Sequence, residues 1–279
     1  MNMLEISGLK KSFGIKEVIK DVKLTVPEHT IYGFVGENGA GKTTTMKMIL
    51  GLLKMDAGSI RVNEKMVSYG DTSTNKYIGY LPDVPEFYSY MTPREYLRFC
   101  GDVAGVESGE LNMRIEELLE RVGLANERHR IKGFSRGMKQ RLGIAQALIH
   151  KPKLLICDEP TSALDPIGRK EILDILVASK EDTTVLFSTH ILSDVERICD
   201  EVAFLHDGSI VLSGTIEDIK RKRQSTDFEI ALKEPSDVER LVEYSDRIHR
   251  KDEYTVMVKC GTEEDINPIL RYISESGMV

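Results

Sequence analysis

The sequence predicts an α/β fold in which helices flank a mostly parallel sheet. Short β-branched and apolar runs alternate with segments of helical periodicity along much of the chain, as in folds with right-handed crossovers. One strand-to-helix transition, residues 36–43, has the spacing G-x-x-x-x-G-K-T of a phosphate-binding loop. The pattern changes near residue 220. We therefore expect one domain over residues 1–218 and a small α+β module over residues 224–279.

The N-terminal third is predicted to be rich in strands that end at glycine and proline. Gly14 and Pro27 mark breaks between apolar runs. The predicted strands are Leu4–Ile6, Val22–Val26, Thr30–Val35, a ribbon of Ser59–Val62 with Met66–Tyr69, and Tyr77–Leu81. Only the helix that follows the phosphate loop, up to Gly51, interrupts them.

Residues from about 85 to 150 are predicted to form a helical insert. Thr92-Pro93-Arg94-Glu95 is a capping box with proline at the first helical position, so a helix should begin there. Apolar residues then recur at helical spacing from Ile115 to Val122, before Gly123. Lys151-Pro152 ends the insert.

Strands and helices alternate again after the insert. Leu154–Cys157 is a continuous apolar run, as expected for a central parallel strand. The later elements are a helix capped by Asp165-Pro166, a strand at Thr184–Ser188, a second capping box at Ser193–Glu196 and a hairpin around Asp207-Gly208. Beyond residue 224, two alternating runs and two helical runs make up the predicted module.

The loop at residues 36–43 carries the strongest functional signal. A glycine turn between a buried strand and a helix N-terminus directs backbone N–H groups at phosphate oxygens. Lys42 would reach the β- and γ-phosphates, and the Thr43 hydroxyl would hold Mg²⁺. The predicted ATP-binding residues here are Gly36, Glu37, Asn38, Gly39, Ala40, Gly41, Lys42, Thr43 and Thr44. The expected cofactors are ATP and Mg²⁺.

Two acidic residues complete the predicted chemistry. Asp158 and Glu159 follow the apolar run at Leu154–Cys157, and the carboxyl ends of strands are where ligands bind in open α/β sheets. Asp158 would bind Mg²⁺, directly or through water, and Glu159 would accept a proton from the attacking water. The sequence therefore predicts hydrolysis of a nucleoside triphosphate, with Lys42 and Glu159 as catalytic residues.

Composition narrows the functional classes. The net charge of −7 argues against broad binding to nucleic acid. No apolar run approaches the ~20 residues needed to span a bilayer, and the first residues show no signal-peptide pattern. The four cysteines are far apart and show no metal-ligand spacing, which favours core thiols in a reducing cytosol.

Further motifs make the chain resemble the ATP-binding subunits of ABC transporters over about residues 1–215. They follow the family order: Lys11–Gly14, the phosphate loop, Tyr80–Asp83, Phe134–Gln140, Leu154–Glu159, Ser162–Asp165 and Ser188–His190. The resemblance implies a P-loop NTPase with a RecA-like sheet, an antiparallel N-terminal subdomain and an inserted helical subdomain. The sequence around the loop is similar to that of bacterial ABC-2-type exporter ATPases, including bacitracin- and lantibiotic-resistance proteins.

The resemblance also implies roles for individual residues. Phe13 would stack on the adenine, and His190 would contact the γ-phosphate as a catalytic residue. In the family, Phe134–Gln140 corresponds to the signature motif and Ser162–Asp165 to the D-loop. A head-to-tail dimer would place Ser135, Gly137 and Asp165 of these motifs on the ATP of a second subunit. Three positions depart from the family. Asp83 replaces the usual glutamine, where it could still ligate Mg²⁺, and Arg136 and Met138 replace a glycine and a glutamine of the signature.

The expected function is to energise export of a drug, peptide antibiotic or similar substrate through a separate membrane permease. The permease would dock on the helical insert, with Phe87, Tyr88 and Tyr90 as candidate contacts, although these aromatics could equally be core. The protein would then be cytoplasmic and attached to the inner membrane face through the permease. The alternative is a non-transport ABC ATPase, or an ATP-dependent regulator of a soluble partner.

Overall fold

The computed structural model describes residues 1–223, 226–260 and 266–278. The chain divides into two units, residues 1–216 and 217–279. The predicted start of the second domain, residue 224, lies outside the described residues. No helix within the described ranges is long and apolar enough to cross a membrane.

Strands predominate at the start of the chain, and helices follow in its middle. The strands are β1 (Asn2–Phe13), β2 (Lys16–Pro27), β3 (Ile31–Val35), β4 (Ala57–Val62), β5 (Lys65–Met66), β6 (Ile78–Leu81), β7 (Leu154–Asp158), β8 (Thr184–Thr189), β9 (Glu201–His206), β10 (Ser209–Thr215), β11 (Thr226–Ala231), β12 (Ile248–Arg250) and β13 (Thr255–Cys260). The helices are α1 (Lys42–Ile49), α2 (Pro93–Val103), α3 (Ser108–Arg121), α4 (Arg136–Leu148), α5 (Pro166–Ser179), α6 (Leu192–Ile198), α7 (Ile216–Arg223), α8 (Pro235–Tyr244) and α9 (Asn267–Glu275).

A mostly parallel sheet forms the centre of the larger unit. Its strand order is β10-β9-β3-β8-β7-β6, and every pair is parallel except the β9–β10 hairpin. Asp207 and Gly208, at φ 45° and 74°, make the tight turn of that hairpin. The predicted α/β fold is confirmed. Because β3, β8 and β7 are neighbours, their carboxyl ends lie at the same edge.

A second, antiparallel sheet, ordered β2-β1-β4-β5, shares a core with the first and with α1. Its first two strands are much longer than predicted, since they pair from Asn2 to Phe13. The ribbon predicted over Met66–Tyr69 is wrong beyond Met66. Val67 N–H still donates to Ile60 O at 2.9 Å, but Gly70 N–H turns to Gly51 O at 3.0 Å, which takes the chain out of the sheet.

The helical insert consists of α2, α3 and α4, as predicted. The capping box at the start of α2 is present. Thr92 N–H donates to Glu95 Oε2 at 2.8 Å, and Glu95 N–H donates to Thr92 Oγ1 at 3.4 Å. Both partners satisfy backbone donors that the first helical turn leaves unpaired.

The second predicted capping box is wrong. The N-cap of α6 is Ile191, without a side-chain cap, so Ser193 lies inside the helix. Ile191 N–H donates to Thr189 Oγ1 at 3.0 Å, and this turn starts the helix early. Asp194 is buried and accepts a hydrogen bond from Thr161 Oγ1 at 2.7 Å. Its carboxylate therefore ties α6 to the segment after β7.

The smaller unit has an antiparallel sheet ordered β11-β13-β12, with its own apolar core from the sheet, α8 and α9. Val238, Leu241, Val256 and Val258 are fully buried in that core. The alternating and helical runs predicted here correspond to β11, α8, β13 and α9. The sequence does not predict β12, because three residues are too few to show a period.

Candidate functional site

The phosphate loop joins β3 to α1, as predicted. Gly39 and Gly41 have φ of 88° and 112°, a region that favours glycine. Gly36 is needed for a different reason: a Cβ there would lie 2.5 Å from Leu205 O. Gly36 N–H donates to Thr189 O at 3.2 Å, which fixes the start of the loop to the end of β8.

Lys42 points back into its own loop. Its side chain is 5% exposed, and Nζ donates to Gly36 O at 2.6 Å and to Glu37 O at 3.1 Å. Nζ also lies 3.0 Å from Glu159 Oε1. A buried lysine needs such partners because desolvation disfavours its charge. The ammonium is thereby held at the centre of the loop.

Thr43, Asp158 and Ser188 form a hydrogen-bonded chain across three elements. Thr43 Oγ1 donates to Asp158 Oδ2 at 2.7 Å, and Ser188 Oγ donates to Asp158 Oδ1 at 2.6 Å. Glu159 N–H donates to Ser188 Oγ at 3.0 Å. The motifs alone assigned no chemical role to Ser188. A polar residue near the end of an otherwise apolar buried strand is the signal that could have found it.

The Glu159 carboxylate lies between a lysine and a histidine. Oε1 faces Lys42 Nζ at 3.0 Å, and Oε2 lies 2.9 Å from His190 Nδ1. The Glu159 backbone has φ 49°, an uncommon value for a residue other than glycine. That conformation turns the side chain from the end of β7 toward the loop. The structure thus brings the three predicted catalytic side chains together.

A cavity of 200 Å³ opens beside these groups. Its lining residues are Asn38, Gly39, Gly41, Lys42, Thr43, Thr44, Asp83, Asp158 and Glu159. Burial raises the pKa of Asp83; Asp158 and Glu159 act in the same direction, whereas Arg136 opposes them. Gly36, Glu37 and Ala40 lie outside the lining and shape the loop, where Ala40 N–H donates to Glu37 O at 3.2 Å.

The donor set around this cavity fits Mg²⁺. Thr43 and Asp158 are in contact and Asp83 lines the same space, so the ligands on offer are the oxygens that a hard cation prefers. The described residues contain no group of three or more His, Cys, Asp or Glu side chains that could hold a metal by themselves.

Ser135, Gly137 and Asp165 are not at the phosphate loop. They line a different cavity, of 350 Å³, between the start of α4 and the start of α5. Ser135 Oγ accepts from Met138 N–H at 3.2 Å, and Asp165 Oδ1 accepts from Gly168 N–H at 2.7 Å. Both side chains therefore cap helices and face one opening.

Phe13 lies at the end of β1, also outside the cavity of the phosphate loop. Its side chain is 50% exposed, and Lys11 Nζ lies 5.3 Å from the ring centroid. An exposed ring is accessible for stacking, as the proposed contact with adenine requires. The flanking lysine would add a positive charge near it.

Gln140 is another residue whose role the motifs did not predict. It is fully buried in α4, and its Nε2 donates to Asp83 O at 2.7 Å. This bond holds the chain after β6 against α4. A glutamine on the apolar face of a helix is the signal that marks it.

Comparison with known proteins agrees with this geometry. The family profile described as ABC transporter matches residues 19–162. The chain is 46% identical to the uncharacterized ABC transporter ATP-binding protein YxlF of Bacillus subtilis, over 83% of this chain and 77% of that protein. It is 38% identical to the bacitracin transport ATP-binding protein BcrA of Bacillus licheniformis, over 82% and 75%. A solved structure described as the ATP binding subunit of an ABC transporter superposes with a TM-score of 0.72 at 33% identity, covering 79% and 93%.

Proposed function

This chain belongs to the ABC transporter family, and we propose that it is the ATPase subunit that energises export of a drug, peptide antibiotic or similar substrate through a separate permease. Its relatives include an ATP-binding protein named for bacitracin transport. The observation that carries the proposal is the convergence of Lys42, Asp158 and Glu159 at one cavity, with His190 in contact with Glu159. That arrangement has a cation for phosphates, a metal ligand and a base within reach of one another.

Each of these residues has a distinct task in hydrolysis. Lys42 binds the β- and γ-phosphates, and Thr43, Asp158 and Asp83 would hold Mg²⁺, which would supply positive charge to neutralise the phosphates. Glu159 takes the proton of the attacking water, and His190 orients its carboxylate through the 2.9 Å contact. Phosphate oxygens compete with Glu159 for Lys42 Nζ. Nucleotide binding therefore frees the base to face water.

The second ATP contact is proposed to come from another subunit. Ser135, Gly137 and Asp165 face a cavity separate from the phosphate loop. A head-to-tail dimer would set this opening against the nucleotide of its partner, so that each ATP is enclosed by both chains. ATP binding would then drive closure, because the γ-phosphate joins the two surfaces.

The permease is proposed to dock on an aromatic groove in the helical insert. This groove has a volume of 690 Å³, and its lining includes Phe87, Tyr88, Tyr96 and Phe99. Phe87 packs on Tyr96 with ring centroids 5.1 Å apart, whereas Tyr88 and Tyr90 are 49% and 63% exposed. An apolar helical segment of a membrane protein fits such a surface.

Purification from native membranes tests this proposal. Tagged protein in detergent with Mg²⁺ and ATP should carry a stoichiometric polytopic protein with it. Tyr88→Ala combined with Phe99→Ala, both in the lining of the groove, should lose that partner, whereas Tyr69→Ala, 62% exposed and outside the groove, should keep it. Recovery of soluble partners alone would contradict the transport function.

A further inference from the structure

Two of the positions that depart from the family motifs are in contact. Asp83 stands where the family usually has glutamine, and Arg136 stands where its signature has glycine. Arg136 Nη2 donates to Asp83 Oδ1 at 3.3 Å. Two departures that lie 53 residues apart in the chain thus form one ion pair.

This pair reaches both cavities of the subunit. Asp83 lines the cavity of the phosphate loop together with Lys42 and Asp158. Arg136 lines the other cavity together with Ser135 and Gly137. In the dimer proposed above, one partner of the pair lies at the subunit's own ATP and the other faces the ATP of the second subunit.

We propose that Arg136 binds the γ-phosphate of the ATP held by a second copy of this chain, with Asp83 as its counter-ion. The inference rests on the proposed head-to-tail dimer. The contact with Asp83 uses one guanidinium nitrogen, whereas arginine has five N–H donors in a planar fork. Arg136 can therefore hold the Asp83 carboxylate and a phosphate at the same time.

The charges around the second cavity support this assignment. Asp165 and Glu171 both line it, and their carboxylates would repel a phosphate unless cations compensate. Arg141 is 19% exposed and is paired with Glu171 at 3.2 Å. Arg136 is 43% exposed, so it is the more accessible cation of this lining.

A purely structural role would give a different result on mutation. Half-exposed surface ion pairs contribute little to stability. Arg136→Gln should therefore fold normally, and its effect should be confined to steps that involve the second subunit. Arg197 offers a matched control, because it is also 43% exposed and is paired with Asp174 at 3.1 Å.

The test uses the full chain carrying Glu159→Gln, which should accumulate the ATP-bound dimer. Sedimentation with ATP and Mg²⁺ gives the dimer dissociation constant. Adding Arg136→Gln should raise it at least about tenfold, the loss expected for a hydrogen bond to a charged group. Arg197→Gln should leave it unchanged, and Arg136→Lys should restore part of the loss because the charge remains. Calorimetry should show that Arg136→Gln leaves the ATP affinity of the monomer unaltered in an Asp83→Asn background, where loss of the counter-ion to Asp83 plays no part.

Three results would overturn the assignment, and they are distinguishable. If Ser135→Ala weakens the dimer and Arg136→Gln does not, the dimer stands and the role of Arg136 fails. If Arg136→Gln lowers ATP affinity in the Asp83→Asn monomer, the side chain serves its own site instead. If the Glu159→Gln protein forms no ATP-dependent dimer, the proposed dimer fails and this inference fails with it.

Discussion

At the scale of single residues, Glu159 is held by a different partner on each carboxylate oxygen. Lys42 lies 3.0 Å from Oε1, and His190 lies 2.9 Å from Oε2. Both contacts orient the carboxylate, but only its basicity can remove a proton from water. The substitution Glu159→Gln keeps the shape of the side chain but removes its basicity, so it separates orientation from proton removal.

We expect Glu159→Gln to bind ATP and to hydrolyse it at least about 100-fold more slowly, which is the usual contribution of a general base. Steady-state phosphate release and equilibrium nucleotide binding measure the two effects. Glu196→Gln, at an exposed position of α6, serves as the control and should behave like the unmodified protein. Hydrolysis by Glu159→Gln at a near-normal rate would show that another group is the base.

Ser188 forms hydrogen bonds with both acidic residues at the end of β7. Its Oγ donates to Asp158 at 2.6 Å and accepts from Glu159 N–H at 3.0 Å, and its side chain is fully buried. Ser188→Ala should therefore lower the free energy of unfolding by about 1–3 kcal/mol, because two buried polar groups lose a partner.

Denaturant unfolding measures the Ser188→Ala effect, and Ser179→Ala is its control. Ser179 is equally buried but donates only to Ile175 O of its own helix, at 2.8 Å. Alanine at that position leaves no orphaned side-chain partner, so its cost should be small. Equal losses from the two variants would mean that Ser188 acts only through packing.

At the scale of elements, the start of α2 depends on Thr92. Its reciprocal bonds with Glu95 satisfy donors that the helix cannot satisfy itself. Thr92→Ala should cost about 1 kcal/mol of stability. Ser193→Ala should cost almost nothing, because Ser193 is exposed and lies inside α6. Thermal unfolding of the two variants checks this, and a larger loss from Ser193→Ala would contradict the observed start of α6.

The two capping boxes show where the sequence predicts an element and where it does not. Both have the same residue pattern, but only Thr92 lies at the N-cap position of its helix, where the backbone N–H groups need a cap. At Ser193 a turn that begins at Thr189 has already started the helix, and tertiary contacts of Asp194 fix it. Local pattern predicted the phosphate loop and the acidic strand end, since their chemistry is local. It could not predict the pairing of Arg136 with Asp83, which depends on how α4 packs beside β6.

At the scale of the whole molecule, strand order explains how distant motifs meet. The phosphate loop follows β3, His190 follows β8, and Asp158 ends β7; these three parallel strands are adjacent in the sheet. Their carboxyl ends form one edge, where ligands of such sheets bind. The strand order of the parallel sheet in residues 1–216 therefore determines where the site forms.

The smaller unit has a core of its own, and none of its described residues lines the cavity of the phosphate loop. A chain ending at residue 223 should therefore bind ATP with the affinity of the full-length protein. Calorimetric titration measures this, and near-ultraviolet circular dichroism of both proteins controls for loss of folding. A truncated chain that keeps its tertiary signal and still loses ATP affinity would show that residues 224–279 complete the nucleotide site. Unchanged affinity would leave the smaller unit free for a role in partner recognition.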